Sequence, residues 1–388
     1  MRHATLLFPS DYYDTNKVDD DFQAEWDAAV ACACFDCILF NFNAFKEKGV
    51  LTFHKPVQDP EIPLIYRGWA MDPEQYRLFY NNLIIKGLRP ITNPDCYNAL
   101  HLFSQETYER FGNSQDGESD LPGYPDTPVT IECEGTDINV ATVNTVFKRF
   151  MITERAKSAK EPLFPRYIDT PISQDKLDTF ISDFIKLRSE PSTEGIVLKE
   201  FVNLRRYDGV TNEWRAFYIA GSLLTLKQNS DLDEPCTCPP MLYVKACTSL
   251  GSPYCVVDFA ELDDGSWIAL ELDDGQVAQL ATTQDPSQYY RALSKVVQRC
   301  FLGYSNGRFE KAYDIVNKDV GKDYYISAAK DFGESWAFTI DQGNGQFEYG
   351  GPCDIAYFVK KNDFTLSYEP MSEVIIRWEA MPDIPLLR

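Results

Sequence analysis

The run YCVVDFAELDDGSWIALELDDGQ, Tyr254 to Gln276, limits the fold more than any other stretch of the chain. Apolar and acidic residues alternate on both sides of Asp264 and Gly265, a pair suited to a two-residue turn because both positions tolerate positive φ. With that turn the run forms an antiparallel hairpin with Asp258 opposite Glu271, Val256 opposite Asp273 and Ala260 opposite Ala269. Side chains alternate faces along a strand. Asp258, Ala260, Ala269, Glu271 and Asp273 therefore share one face, while Val257, Phe259, Ile268, Leu270 and Leu272 share the other and read as core. Two carboxylates opposed across a strand pair repel and weaken the sheet. The alanines beside them leave room above it, and a divalent cation relieves the repulsion. Oxygen-only ligands suit Mg²⁺ holding the phosphates of ATP. A solvated acidic surface is the alternative.

At 388 residues the chain is too long for one small core and is expected to form two or three packed subdomains. Within residues 1–111, AEWDAAVACACFDCILFNF reads as a helix leading into a buried strand, and PLIYRGW as a second strand. MDPEQYRLFYNNLIIKG reads as a helix capped by Asp72, with Pro73 at its first position. Tyr76, Phe79, Tyr80 and Leu83 line one face of it, Gly87 ends it, and LRPIT begins another strand. Strand–helix–strand order points to an α/β layer with parallel pairing.

Residues 112–128 are polar and rich in Gly, Pro and Asp, and read as a linker. Residues 129–308 are expected to form a second domain of two subdomains. In it TVNTVFKRFMI reads as a strand and SQDKLDTFISDFIKLR as a helix. Strands and hairpins follow from Glu194, and then DPSQYYRALSKVVQRCF, a helix opened by Asp285 and Pro286. Residues 309–388 read as a small strand-rich unit, with Asn344 and Gly345 marking a tight turn. The class is α+β with an α/β layer.

Charge narrows the function. Asp and Glu number 59 against 37 Lys and Arg, a formal net charge of −22. That balance counts against a nucleic-acid partner, whose phosphates need a broad basic surface. The 11 cysteines are odd in number, and no segment resembles a secretory leader or a membrane span of roughly 20 apolar residues. Reduced thiols in a cytoplasmic protein are expected. CACFDC and CTC lack the spacing of paired zinc knuckles and lie far from His3, His54 and His101, so they read as buried small hydrophobes.

Asp258, Glu271 and Asp273 match, in order and spacing, the acidic residues that ATP-grasp enzymes place on neighbouring strands around Mg²⁺. The chain resembles that superfamily from IYRGW to DPSQYYRAL, and is most similar to a phage and bacterial clade with a YRGW strand in the preceding domain. The resemblance implies an ATP-grasp fold, with an N-terminal α/β pre-ATP-grasp domain and a strand-rich C-terminal unit. It implies ATP and Mg²⁺, with Asp258, Glu271 and Asp273 as metal ligands and Asp274 competing with Asp273.

EWRAFYIAGSLLTLKQ then supplies Arg215, facing phosphate, and Lys227, near the transferred phosphoryl group; these two and Glu271 are the catalytic candidates. VFKRF supplies Lys148, and GIVLKEFV supplies Lys199 and a hinge, Glu200, Phe201 and Val202, whose backbone binds adenine. Lys157 and Lys160 of AKSAK fall in the lid region, and Arg67 of YRGW is either a substrate-carboxylate anchor or a strand-end arginine. The implied reaction joins a carboxylate to an amine through an acyl phosphate, on a small molecule, peptide or protein. Asp273 stands where many relatives have Asn, and there is no glycine-rich lid.

Two other readings compete. EGIVLKEF also resembles a motif of nucleotidyltransferase ligases, but these need an upstream Lys-x-Asp-Gly nucleophile, and the chain contains none. An ATP-grasp scaffold that binds nucleotide and recruits partners is the other.

Overall fold

The computed structural model describes residues 2–60, 62–101, 125–133, 138–154, 167–186, 195–232, 236–247, 250, 252–300, 308–320, 324–332, 335–342 and 355–379. Expectations placed on residues 112–124, on Lys157 and Lys160, and on the Asn344–Gly345 turn lie outside them.

The N-terminal layer runs β1 (Ala4–Pro9), α1 (Gln23–Cys32), β2 (Phe35–Phe40), α2 (Phe42–Lys48), β3 (Pro63–Tyr66), α3 (Pro73–Ile85), β4 (Arg89–Pro90) and α4 (Pro94–His101). Its four strands pair in parallel in the order β2-β1-β3-β4. The signals around α3 act as expected: Asp72 accepts the Gln75 N–H, Pro73 opens the helix, and Gly87 follows at φ 75°. Every residue of β1 is buried because helices or strands cover both faces of the sheet. Leu7 packs with Tyr66, Tyr76 and Phe79 on one side, whereas Leu6 and Phe8 pack with α1 on the other.

The next unit holds β5 (Thr130–Cys133), α5 (Val140–Val146), β6 (Arg149–Glu154), β7 (Ile168–Asp169), α6 (Gln174–Lys186) and β8 (Ile196–Glu200). Its sheet has the order β5-β8-β6-β7, with antiparallel pairing throughout. TVNTVFKRFMI is not one strand. Its first half is the helix α5, because the Asn139 side chain caps the Ala141 N–H and Val143 and Phe147 are buried beneath it. Capping and burial override the strand preference of β-branched residues.

A short ribbon of β9 (Arg206–Tyr207) and β10 (Val210–Thr211) leads into β11 (Glu213–Ile219), β12 (Ser222–Gln228), α7 (Met241–Ala246), β13 (Tyr254–Glu261), β14 (Trp267–Asp274) and α8 (Pro286–Cys300). The four long strands form an antiparallel sheet in the order β12-β11-β13-β14. One face, with Ala216, Tyr218, Val257, Phe259 and Leu272, is covered by Val244 and Cys247 at α7. At one end of the other face Phe217, Ile219, Tyr254 and Val256 join α8 and the N-terminal layer in a continuous core. A last unit consists of α9 (Arg308–Val320), the antiparallel strands β15 (Tyr324–Asp331), β16 (Ser335–Gln342), β17 (Ile355–Lys360) and β18 (Leu366–Pro370), and α10 (Met371–Glu379). Of the CACFDC and CTC cysteines, read as buried hydrophobes, only Cys37 is buried: Cys32, Cys34 and Cys236 are half-buried and Cys238 is exposed, whereas Cys247 and Cys255 lie in the core. Among the described residues no helix is long and apolar enough to cross a membrane.

Where the N-terminal layer meets the end of β14, one carboxyl is wholly enclosed. Tyr76 and Tyr97 stack at 3.7 Å, and Gln276 Nε2 donates both to the Tyr76 hydroxyl and to Asp274 Oδ1. Asp274 is fully buried and its Oδ2 has no hydrogen-bond partner. Burial pushes its pKa from 3.8 to about 8, although the Gln276 bonds oppose the rise. Between those values folding takes up a proton, so the group opposes folding increasingly as pH rises, by up to about 1.4 kcal/mol per pH unit. The contribution is most favourable below the unfolded value and is lost as pH climbs through the folded one. Asp274→Asn should therefore gain stability over the unsubstituted protein between about pH 5 and pH 7, measured by urea denaturation. A stability difference that stays constant with pH would mean that Asp274 ionises normally in the folded chain.

Candidate functional site

Direct strand pairing builds a row of charged side chains across the β11–β14 sheet. Lys227 on β12 pairs with Arg215 on β11, Arg215 pairs with Asp258 on β13, and Asp258 pairs with Glu271 on β14. Residues paired in this way project to one face. Arg215 grips Asp258 with both edges of its fork, Nε to Oδ1 at 2.7 Å and Nη2 to Oδ2 at 2.6 Å. Its Nη1 donates to the Gln279 carbonyl at 2.7 Å. Burial works against the guanidinium charge, but Asp258, then Glu271 and Asp273, outweigh it and hold Arg215 more firmly protonated than usual. Asp258 is 6% exposed, while Lys227, Arg215, Glu271 and Asp273 are half-buried. Asp258 is thus withdrawn from solvent, and the other members of the row are partly so.

The expected register holds at the acids but not along the whole hairpin. The turn is a longer loop over Asp263, Asp264 and Gly265, closed by the Leu262 N–H on the Ser266 carbonyl. Of the proposed turn pair, only Gly265 takes positive φ, at 86°. This shifts the pairing at the tip, so that Phe259 faces Ala269 and Ala260 faces Ile268. A β-bulge between Asp258 and Phe259 then leaves Leu270 unpaired and restores Asp258 opposite Glu271. Ala269 consequently lies in the core with Phe259 instead of beside the acids. The bulge also frees the Leu270 carbonyl, which accepts Lys199 Nζ from β8 at 2.8 Å. That bond joins the β5–β8 sheet to the acid strand directly beside Glu271. No feature of residue type marks the bulge in advance.

The other expected site residues separate into groups. Strand alternation puts Asp273 on the face of Asp258 and Glu271, but Asp274 points the opposite way into the tyrosine-lined interior. Asp274 therefore does not share a cation with the acid row. Arg67 is not an open carboxylate anchor either: it is fully buried, and each of its three nitrogens bonds to Glu25 or to the carbonyls of Gly275 and Ala278. Lys148 is exposed at the entrance to β6.

The hinge after β8 is partly committed to its own sheet. The Glu200 N–H donates to Val129, the Phe201 N–H to Arg149, and the Glu200 side chain accepts the Val129 N–H. Arg149 lies over the rings of Tyr167 and Phe201, at 4.6 and 5.4 Å from their centroids. This cluster had no motif to announce it. A cavity of about 470 Å³ opens beside the hinge, lined by Phe201, Val202, Arg205, Arg206 and Asp263 among others. Another of about 780 Å³, between Ile138 and α6, involves none of the row residues.

Among the described residues, no three His, Cys, Asp or Glu side chains are grouped as a metal cage. Mg²⁺ does not ask for one: it usually takes one or two carboxylates and fills its remaining positions with phosphate oxygens and water. Asp258 and Glu271, cross-strand partners with Asp273 on their face, fit that donor set.

Residues 137–293 match the family described as ATP-grasp domain, R2K clade family 3. Similar solved structures include a RimK domain protein ATP-grasp from Sphaerobacter thermophilus, 14% identical with a TM-score of 0.48, the match covering 76% of this chain and 99% of that one. D-alanyl-alanine synthetase A from Vibrio cholerae O1 biovar eltor is 8% identical with a TM-score of 0.49, covering 80% of this chain and 100% of that one. The macrocyclase MdnC bound with precursor peptide MdnA, from Microcystis aeruginosa MRC, is 14% identical with a TM-score of 0.46, covering 76% and 99%. No curated protein matches the chain. The family match spans β6, β8 and the whole charged row, so residues 137–293 form an ATP-grasp domain.

Proposed function

We propose that the chain is an ATP-dependent ligase joining a carboxylate to an amine or related nucleophile through an acyl phosphate, with release of ADP and phosphate. The observation that carries this reading is the row Lys227, Arg215, Asp258 and Glu271, laid across one sheet face with Lys199 bonded beside it. Opposite charges at fixed positions suit phosphoryl transfer, which depends on positioning and charge neutralisation more than on covalent chemistry from the protein. Lys148, Lys199 and Arg215 would offset phosphate charge, and Lys227 would face the transferred group. Asp258, Glu271 and Asp273 would hold Mg²⁺, which supplies charge neutralisation at the phosphate oxygens.

Adenine would lie in the cavity at the hinge. Because the N–H groups of Glu200 and Phe201 are engaged within the sheet, recognition there falls to Val202 and to the hinge carbonyls. Lys157 and Lys160, outside the described residues, stay substrate candidates on the resemblance alone. The acid and amine, from a small molecule, peptide or protein, would meet beyond the phosphates, and the unit from α9 onward would select among them. A cytoplasmic, reducing compartment suits the buried thiols of Cys37, Cys247 and Cys255.

Turnover is tested by ADP release with panels of acids and amines, and two variant sets test the site. Lys199→Ala should weaken binding of a non-hydrolysable ATP analogue about tenfold, in line with loss of a charged hydrogen bond. Glu200→Ala should change that affinity little while lowering stability through loss of the Val129 bond. Calorimetric titration of both proteins reads the contrast, and equal, negligible effects would remove β8 from the site.

Glu271→Gln should abolish turnover. It should shift the nucleotide-free melting temperature only slightly, since Arg215 already neutralises the facing Asp258. Ligand at 100 times its dissociation constant stabilises a protein by about 2.7 kcal/mol. The unsubstituted protein should show such a gain with Mg²⁺ and analogue, and the Glu271→Gln variant much less. Equal gains and retained activity would make the acidic face ordinary surface, and binding without any turnover would favour the scaffold reading.

A further inference from the structure

Tyr66, Arg67, Gly68 and Trp69 close β3, and their bonds lead away from their own sheet. Arg67 is fully buried, and two edges of its guanidinium do different work. One edge holds Glu25 of α1, through Nε at 3.0 Å and Nη2 at 2.8 and 2.9 Å. On the other edge, Nη1 donates to the carbonyls of Gly275 and Ala278, the latter at 2.9 Å. The next residue adds a third bond, from the Gly68 N–H to the Gln276 carbonyl at 3.0 Å. A Cβ at Gly68 would collide with the Tyr66 ring, whose hydroxyl in turn bonds the Trp69 carbonyl at 2.7 Å. Trp69 Nε1 reaches Asp19 at 3.3 Å. Tyr66, Gly68 and Trp69 thus constrain one another, and Arg67 and Gly68 together grip three carbonyls within residues 275–278.

That gripped segment also supports the acid row. It begins two residues after Asp273, and the next carbonyl along, Gln279, receives Arg215 Nη1, the third contact of the arginine that forks Asp258. Two arginines therefore hold carbonyls of one short segment, Arg67 from the interior and Arg215 from the charged row. Burying an ion pair carries a large desolvation penalty, and apolar side chains of similar volume often stabilise a core equally well. A planar guanidinium offers what they lack: donors in fixed directions toward a carboxylate and two carbonyls at once.

We infer that Arg67 is a positioning residue, and that the Tyr66–Trp69 segment sets Asp258, Glu271 and Asp273 for Mg²⁺-nucleotide by fixing residues 275–279 against the N-terminal layer. The inference rests on the ATP reading of the row.

The test titrates a non-hydrolysable ATP analogue into the full chain over a series of Mg²⁺ concentrations, with thermal melts in parallel. Arg67→Lys keeps the charge but loses the planar fork. It should raise the Mg²⁺ concentration at half-saturation about tenfold, the lower end of the effect of removing groups that orient metal ligands. Tyr290→Phe is the control, because its hydroxyl bonds Glu25 on the same ion pair at 2.6 Å without touching the carbonyls. It should lower the melting temperature and leave the Mg²⁺ dependence unchanged.

If Arg67→Lys does not fold, the double variant Arg67→Met/Glu25→Gln removes the pair without stranding a charge, and the same shift is expected. An unchanged Mg²⁺ dependence in whichever Arg67 variant folds overturns the inference. An equal shift in Tyr290→Phe overturns it too, because a loosened core would then be the cause. Failure of the unsubstituted protein to bind the analogue overturns the ATP reading and this inference with it.

Discussion

Asp258 and Glu271 face each other across β13 and β14, and the rest of the site is arranged around that repulsion. The protein meets it with Arg215, whose fork bonds both oxygens of Asp258. A carboxylate has about four lone-pair positions, so a bidentate arginine does not by itself exhaust them. The pairing therefore orients Asp258 without excluding a further positive partner. Lys227 on the far side of Arg215 completes an order in which positive charge occupies two strands and negative charge the next two. Such a gradient would orient a bound polyanion along the sheet before any chemistry begins.

Support for this row comes from three directions, each through backbone carbonyls. Lys199 meets the Leu270 carbonyl from the β5–β8 sheet, Arg215 meets Gln279 within the row's own layer, and Arg67 meets Gly275 and Ala278 from the N-terminal layer. Carbonyls belong to the chain itself, so holding them fixes strand positions and not merely side-chain rotamers. Phe217, Ile219, Tyr254 and Val256 share one core with β1, α1 and α8, which makes the N-terminal layer mechanically continuous with the sheet that carries the acids.

Elements with both a cap and a period were legible in the sequence. The helices α3, α6 and α8 have polar openings and apolar faces, and their buried residues Tyr76, Phe79, Leu177, Ile181, Leu293 and Val297 lie on those faces. α5 was misread because Val and Thr favour strands, while the decisive Asn139 cap is a single residue. The hairpin shows a different limit. Its three-residue loop and its bulge each displace the register by one position, in opposite senses, so the acids were paired correctly although the turn was not. Strand alternation cannot register a bulge, and that is why Ala269 was placed beside the acids. Arg67 and Asp274 were misjudged for a common reason: charge suggests exposure, and only long-range partners such as Glu25 and Gln276 reveal that a charge or a carboxyl is interior.

A chain with a formal net charge of −22 still has to attract a polyanion if it uses ATP. Screening makes the two compatible. At physiological ionic strength the Debye length is about 8 Å, so exposed acids farther away contribute little to the potential in a cleft. Lys199, at 7% exposure, and Arg215, largely withdrawn from water, act in a less polar medium where charges are felt more strongly. The acids in the row lie within that same range, and there they cease to be a liability only when a cation joins them. Nucleotide and metal would then depend on each other: phosphate without the cation would meet Glu271 and Asp273, and the cation without phosphate would meet Arg215 on Asp258. The charged row would thus bind the pair in preference to either member, a property that follows from the side-by-side order of its charges and not from the sign of the whole protein.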